Sequence, residues 1–150
     1  MSLDYAALID VIASHAMELG VFTQVNQHEP KNAPGQDISC AVWVDTIGPA
    51  ESGLASTSVR LVVMARVYQN FILKPEDRID PVVMGAVDAL MTTLTADFTM
   101  GGLVRNLDLL GRGGIPLSAK AGYLQQDNQI FRTVDITIPM ILNDVWEQVA

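Results

Sequence analysis

The sequence predicts an α+β fold: one mostly antiparallel β-sheet with two α-helices packed on one face. Three observations carry that reading. The periodic segments fall in the order α-β-β-β-α-β-β-β, so strands come in runs and do not alternate with helices. Two segments, at 5–19 and 83–98, repeat apolar residues at helical spacing. The remaining apolar segments alternate with a period of two, or are apolar on both faces, and are separated by Gly, Pro, Asn and Asp.

Each element follows in turn. Ser2 is expected to cap the first helix, with Asp4 in its first turn at the positive end of the helix dipole. Tyr5, Leu8, Ile9, Ile12, Ala16 and Leu19 form its stripe, and Gly20 stops it. Val21 to His28 reads as a short strand, followed by a Pro- and Gly-rich loop over 29–36. Ile38 to Ile47 is a strand with Ile38, Cys40, Val42 and Val44 on one face and Ser39, Ala41, Trp43 and Asp45 on the other. The stretch 48–56 reads as a long, mobile hairpin connection. Val59 to Gln69 is apolar on both faces, which places it centrally in the sheet.

After an irregular connection over 71–79, Asp80 is expected to cap the second helix, with Pro81 in its first turn. Val83, Val87, Leu90, Met91, Leu94 and Phe98 form the apolar stripe; Asp88, Thr92 and Thr95 form the wet side; Gly101 and Gly102 end it. Short strands are expected over 103–109 and 117–125, with a glycine-rich turn over 111–114 and a tight turn over 126–128. Phe131 to Leu142 is the last strand. Val134, Ile136, Ile138 and Met140 point to the core, and Thr133, Asp135, Thr137 and Pro139 point away. Pro139 lacks an amide donor, which argues for a sheet edge or the strand's end. The stretch 143–150 reads as a short tail carrying Trp146.

Composition narrows the function classes. A chain of 150 residues has the size of one domain. Its charged share is 17 %, low against about 25 % in an average domain, and its hydrophobic share is 49 %. Too few charges remain to cover a monomer's surface, so part of the apolar surface is expected to be subunit contact. The net charge of −8 and the lack of a basic run argue against tight nucleic-acid binding. Cys40 is the single cysteine, so no internal disulfide forms. The start Met-Ser-Leu-Asp-Tyr has no basic segment of a signal peptide, and no uninterrupted apolar run approaches the ~18 residues of a membrane span.

Residue types and spacings match no catalytic or metal-binding motif. His15 and His28 lie on different elements, and neither H-E-x-x-H nor C-x-x-C occurs. The Gly111-Arg112-Gly113-Gly114 run lacks the Lys-Ser/Thr of a phosphate loop. No G-x-S-x-G elbow occurs. Glu76, Asp77 and Asp80 crowd the entry to the second helix, where capping and solvation account for them better than a catalytic pair. Arg105 and Arg112 beside glycines suit an anion or, more often, carboxylates of a neighbouring subunit. The expectation is therefore no enzyme activity, no cofactor and no metal. As subunit-interface candidates the sequence offers Glu51, Leu54, Tyr68, Phe71, Arg105, Arg112 and Trp146, with core packing the default for Tyr68.

Several stretches carry a resemblance. They are the short amphipathic first helix leading into three strands with a loose hairpin, the second helix opening at Asp80-Pro81, and the stretch Val104-Arg105-Asn106-Leu107-Asp108-Leu109-Leu110-Gly111. They also include Gly122-Tyr123-Leu124 and the final strand from Phe131 to Asp144. Over nearly the whole chain the order, length and C-terminal strand style resemble the tail terminator proteins of long-tailed, siphovirus-like bacteriophages. The resemblance implies a virion protein of the tail neck, made in the host bacterial cytoplasm. It implies a homo-oligomeric ring, usually of six subunits, on the head-proximal end of the tail tube, which stops tube polymerisation and presents a surface to the head connector. The implied partners are further copies of itself, the tail tube protein, a head–tail connector or neck protein, and the tape measure protein. DNA would pass through without specific binding, and no membrane is involved. The competing readings are another head–tail joining or neck component, a tail tube subunit and, from another class, a small ligand-binding domain or enzyme.

Overall fold

A computed structural model describes residues 4–29, 37–70 and 75–148. Helix α1 spans Tyr5–Glu18. Asp4 is its N-cap, accepting a hydrogen bond from the Ala7 N–H at 3.1 Å. Asp4 thus fills the role expected of Ser2, which lies outside the described residues. Leu8, Ile12, Ala13 and Ala16 are its buried side. Helix α2 spans Ile79–Ala96 and buries Ile79, Val83, Ala86, Val87, Leu90 and Leu94. Asp80 is not its cap. A 3-10 turn at Glu76–Arg78 already leads the backbone into helical angles, so Asp80 falls inside the first turn and its carboxylate is free to pair with Arg132. Phe98 was expected on the stripe, but the helix ends before it and Phe98 is exposed. An 18-residue window within Glu76–Ala96 has a mean hydropathy of 1.3 and is by length and composition apolar enough to cross a bilayer, although it holds no long uninterrupted apolar run. Here its stripe packs into the core.

The strands are β1 (Gln24–Asn26), β2 (Ser39–Ser52), β3 (Ser56–Asn70), β4 (Asn106–Leu107), β5 (Ser118–Gln126) and β6 (Gln129–Glu147). They form one sheet in the order β1-β2-β3-β6-β4, with β5 also paired to β6. Among the described residues only the short β1–β2 pairing is parallel. β3 is central, as its two apolar faces predict. The helices cover the face that carries Cys40, Val42, Leu61, Val63, Ala65, Val67, Ile136, Ile138 and Met140, all buried.

The strands differ from the sequence reading in several places. The 48–56 hairpin connection is mostly strand: β2 runs on to Ser52, and only Gly53, Leu54 and Ala55 connect it to β3. Gly48 and Pro49 are tolerated because β2 is an edge beyond its pairing with β1, and register shifts flank Asp45 and Ala50. The expected C-terminal tail is strand as far as Glu147, since Thr57 pairs with Trp146 and Ser56 with Glu147. Pro139 is neither at an outer edge nor at the strand's end. On one side it pairs with Val62; on the other it lies in the gap between β5, which ends opposite Thr137, and β4, which begins opposite Met140. Its carbonyl accepts the Asp108 N–H in that gap at 2.9 Å, so its missing amide proton falls where no strand needs it. The expected strands over 21–28 and 103–109 shrink to three and two residues.

Among the described residues the sheet's second face carries no helix. Ala41, Tyr68 and Phe131 form a small buried cluster there, with Trp43 and Leu124 against it.

Candidate functional site

The structure brings three of the seven interface candidates together. Glu51 near the end of β2, Arg105 just before β4 and Arg112 in the glycine-rich turn line one cleft of about 440 Å³, with Ala50, Asn106, Asp108, Gly113 and Ile141. Arg105 donates to the Glu51 carboxylate at 3.2 Å. The turn is held from within by Asp108, which is only 4 % exposed. One carboxylate oxygen accepts the Arg112 N–H at 2.9 Å and the other the Gly113 N–H at 2.8 Å. Arg60 closes the back, its guanidinium donating to the Gly113 carbonyl. Gly113 and Gly114 sit in close quarters in this turn. A Cβ on Gly113 would stand 3.0 Å from the Asp108 carboxylate, and Gly114 has φ +116° beside the Arg60 guanidinium. Asp108 and Arg60 were missed in the sequence; a carboxylate just ahead of a Gly-x-Gly-Gly run is the signal that points to such a turn.

A second surface lies at the other end of β6. Arg132 donates to Asp80 at 2.9 Å and its guanidinium sits 4.5 Å from the centre of the Tyr123 ring. Glu76, Asp77, Ile79 and Asp80 line this surface with them. Next to it Tyr123, Leu124, Gln125 and Ile130 border an open apolar depression, with Tyr123 and Ile130 exposed.

The other candidates are scattered. Leu54 sits fully exposed at the β2–β3 tip. Trp146 is partly exposed, opposite Thr57 near the end of β6. Tyr68 is 1 % exposed and offers a neighbour no surface, because its ring packs edge-on against Phe131, with centroids 6.4 Å apart. Phe71 lies outside the described residues.

On the second face Arg66 grips Asp135 through two hydrogen bonds, at 2.5 and 3.2 Å, and lies over the Trp43 ring at 5.2 Å. Burial pulls the Arg66 guanidinium down, but the Asp135 carboxylate outweighs it and raises it above its ordinary range. Burial pushes the Tyr68 phenol up to about 12, against the opposing pull of Arg66. Burial likewise pushes the Cys40 thiol up to about 12, which leaves it a core side chain with no thiolate character at neutral pH. His15 bridges the helices: its Nε2 lies 2.8 Å from the Asp97 carboxylate. That bond, then the Gly101 N–H, holds the Asp97 carboxyl below its usual range. Among the described residues no group of three His, Cys, Asp or Glu side chains is placed to hold a metal ion.

No family model matches the chain, and no curated protein matches it. Among solved structures, the sheath/tube terminator of an extracellular contractile injection system, PVC, in its extended state, aligns with all of this chain at 9 % identity and a TM-score of 0.47. This chain spans 60 % of that one's length. A likeness so distant fixes neither fold nor role; the α+β assignment stands on the sheet and helices described above.

Proposed function

We propose that the chain is an architectural subunit of a phage or phage-like tail, a tail terminator whose copies close into a ring at the end of the tail tube and make or break no bond. The resemblance of the sequence to siphovirus-like tail terminators suggests the role. The observation that supports it best is the placement of exposed apolar side chains. Leu54 and Trp146 stand at one end of the long β3–β6 pair, and Tyr123 and Ile130 at the other. Head-to-tail association uses two different patches on each subunit, and a closed rotation turns such contacts into a ring. Patches of this kind on an acidic chain poor in charge suit burial between copies.

The net charge of −8 fits the same role. A ring wall richer in Asp and Glu than in Lys and Arg lets DNA pass without adhering. The proposed partners are the tail tube protein on one rim and a head connector or neck protein on the other.

Negative-stain microscopy of the purified protein tests this reading. Closed rings of uniform diameter are expected. Open filaments would point to a tube subunit instead, and isolated particles at every concentration would overturn the reading.

A further inference from the structure

We propose that neighbouring copies join through a charge-matched contact: the arginine-lined cleft of one copy receives the acidic turn that opens α2 of the next, with Arg112 and Asp77 as the central pair. The inference rests on the ring reading and names the segments that would make its contacts.

The two surfaces cannot meet within one molecule. The cleft lies beside Ile141 and the acidic turn beside Arg132, both on β6. At ~3.3 Å per residue, that length of strand separates them by about 30 Å. Two distinct, distant and complementary surfaces on one chain generate head-to-tail assembly.

The charges match. In and behind the cleft, the guanidiniums of Arg60, Arg105 and Arg112 face the carboxylates of Glu51 and Asp108. Glu51 is taken by Arg105, and both oxygens of Asp108 are taken by backbone N–H groups of the turn. Arg60 is turned to the Gly113 carbonyl. The Arg112 guanidinium is therefore left over: it is exposed and has no side-chain partner among the described residues. At the turn, Glu76, Asp77 and Asp80 stand against Arg78 and Arg132. Arg132 is committed to Asp80. Asp77 is exposed, and no hydrogen bond or ion pair engages it among the described residues. Among the described residues an unpaired cation, Arg112, and an unpaired carboxylate, Asp77 beside the exposed Arg78, thus stand toward opposite ends of β6. The cleft, at about 440 Å³, has room for a carboxylate side chain and the backbone that carries it.

Reversal of each charge alone and together tests the contact. The variants are Arg112→Glu, Asp77→Arg and the double exchange, with Arg112→Gln as a gentler single change. Circular dichroism checks the fold, and sedimentation velocity at low salt reads the association. Each single reversal is expected to weaken association roughly tenfold or more, since it sets like charges against each other. The double exchange is expected to restore most of it. Raising salt should weaken the wild-type assembly as the charges are screened. Single reversals that assemble like the wild type, or a double exchange no better than the singles, would overturn this contact and leave the ring intact. A wild-type protein that stays monomeric overturns the ring reading and this contact with it.

Discussion

Ser39 and Tyr68 face each other across β2 and β3, and among the described residues neither buried hydroxyl makes a hydrogen bond of good geometry. A buried hydroxyl without a partner costs free energy, so the Tyr68 phenol is carried for its ring and at the expense of its oxygen. Tyr68→Phe is expected to leave the fold unchanged and to raise unfolding stability by about 1 kcal/mol in a urea titration; a clear loss of stability would show that the oxygen has a partner after all. The His15–Asp97 pair makes a pH-dependent prediction. Asp97 has its carboxyl lowered in the folded chain, so its contribution is present above the ordinary carboxylate range and is lost as pH falls through the folded value. Because Asp97 is partly exposed, Asp97→Ala is expected to cost only about 0.5–1 kcal/mol near neutral pH, and less at a pH where the wild-type carboxyl is protonated. Matched urea titrations at the two pH values check both the size and the direction. Such pairings were not legible in the sequence: His15 and Asp97 lie 82 positions apart, and nothing local in either neighbourhood points to the other.

The helices were the most legible elements, because the 3.6-residue period of Leu8, Ile12 and Ala16 and of Val83, Val87, Leu90 and Leu94 is written directly in side-chain spacing. The strands were legible in their faces and less so in their ends. Gly48, Pro49 and Gly53 read as a loop because these residues disfavour strands, yet two register shifts on an edge segment absorb the first two. The turn over 108–114 shows the converse. Its glycines announced a turn, but the residue that shapes it, Asp108, resembled any other acidic residue until both its oxygens proved to be taken by backbone N–H groups. Removing a buried charged acceptor strands two donors, so Asp108→Ala is expected to destabilise the chain by about 2–3 kcal/mol and to loosen Arg112 with it. Thermal unfolding reads the first effect. Hydrogen exchange at 111–114 reads the second, and unchanged protection there would contradict the assignment.

For the whole molecule, composition carried more than motifs did. The sparse charge pointed to a protein that buries surface against its own kind, the acidic balance pointed away from tight nucleic-acid binding, and the sequence offered seven interface candidates. Three of them, Glu51, Arg105 and Arg112, converge in one cleft although Glu51 and Arg105 stand 54 positions apart. Tyr68 turned inward, because the uncovered sheet face still holds a small cluster of its own around Phe131. Topology decides which side chains meet, and that is a long-range property no local window contains. The central claim is that copies of this chain close on themselves through two unlike surfaces. Native mass spectrometry of the purified protein tests it most directly. The account predicts one dominant species with a fixed small number of subunits, six by the resemblance; a spectrum holding only the single chain at every concentration would contradict it.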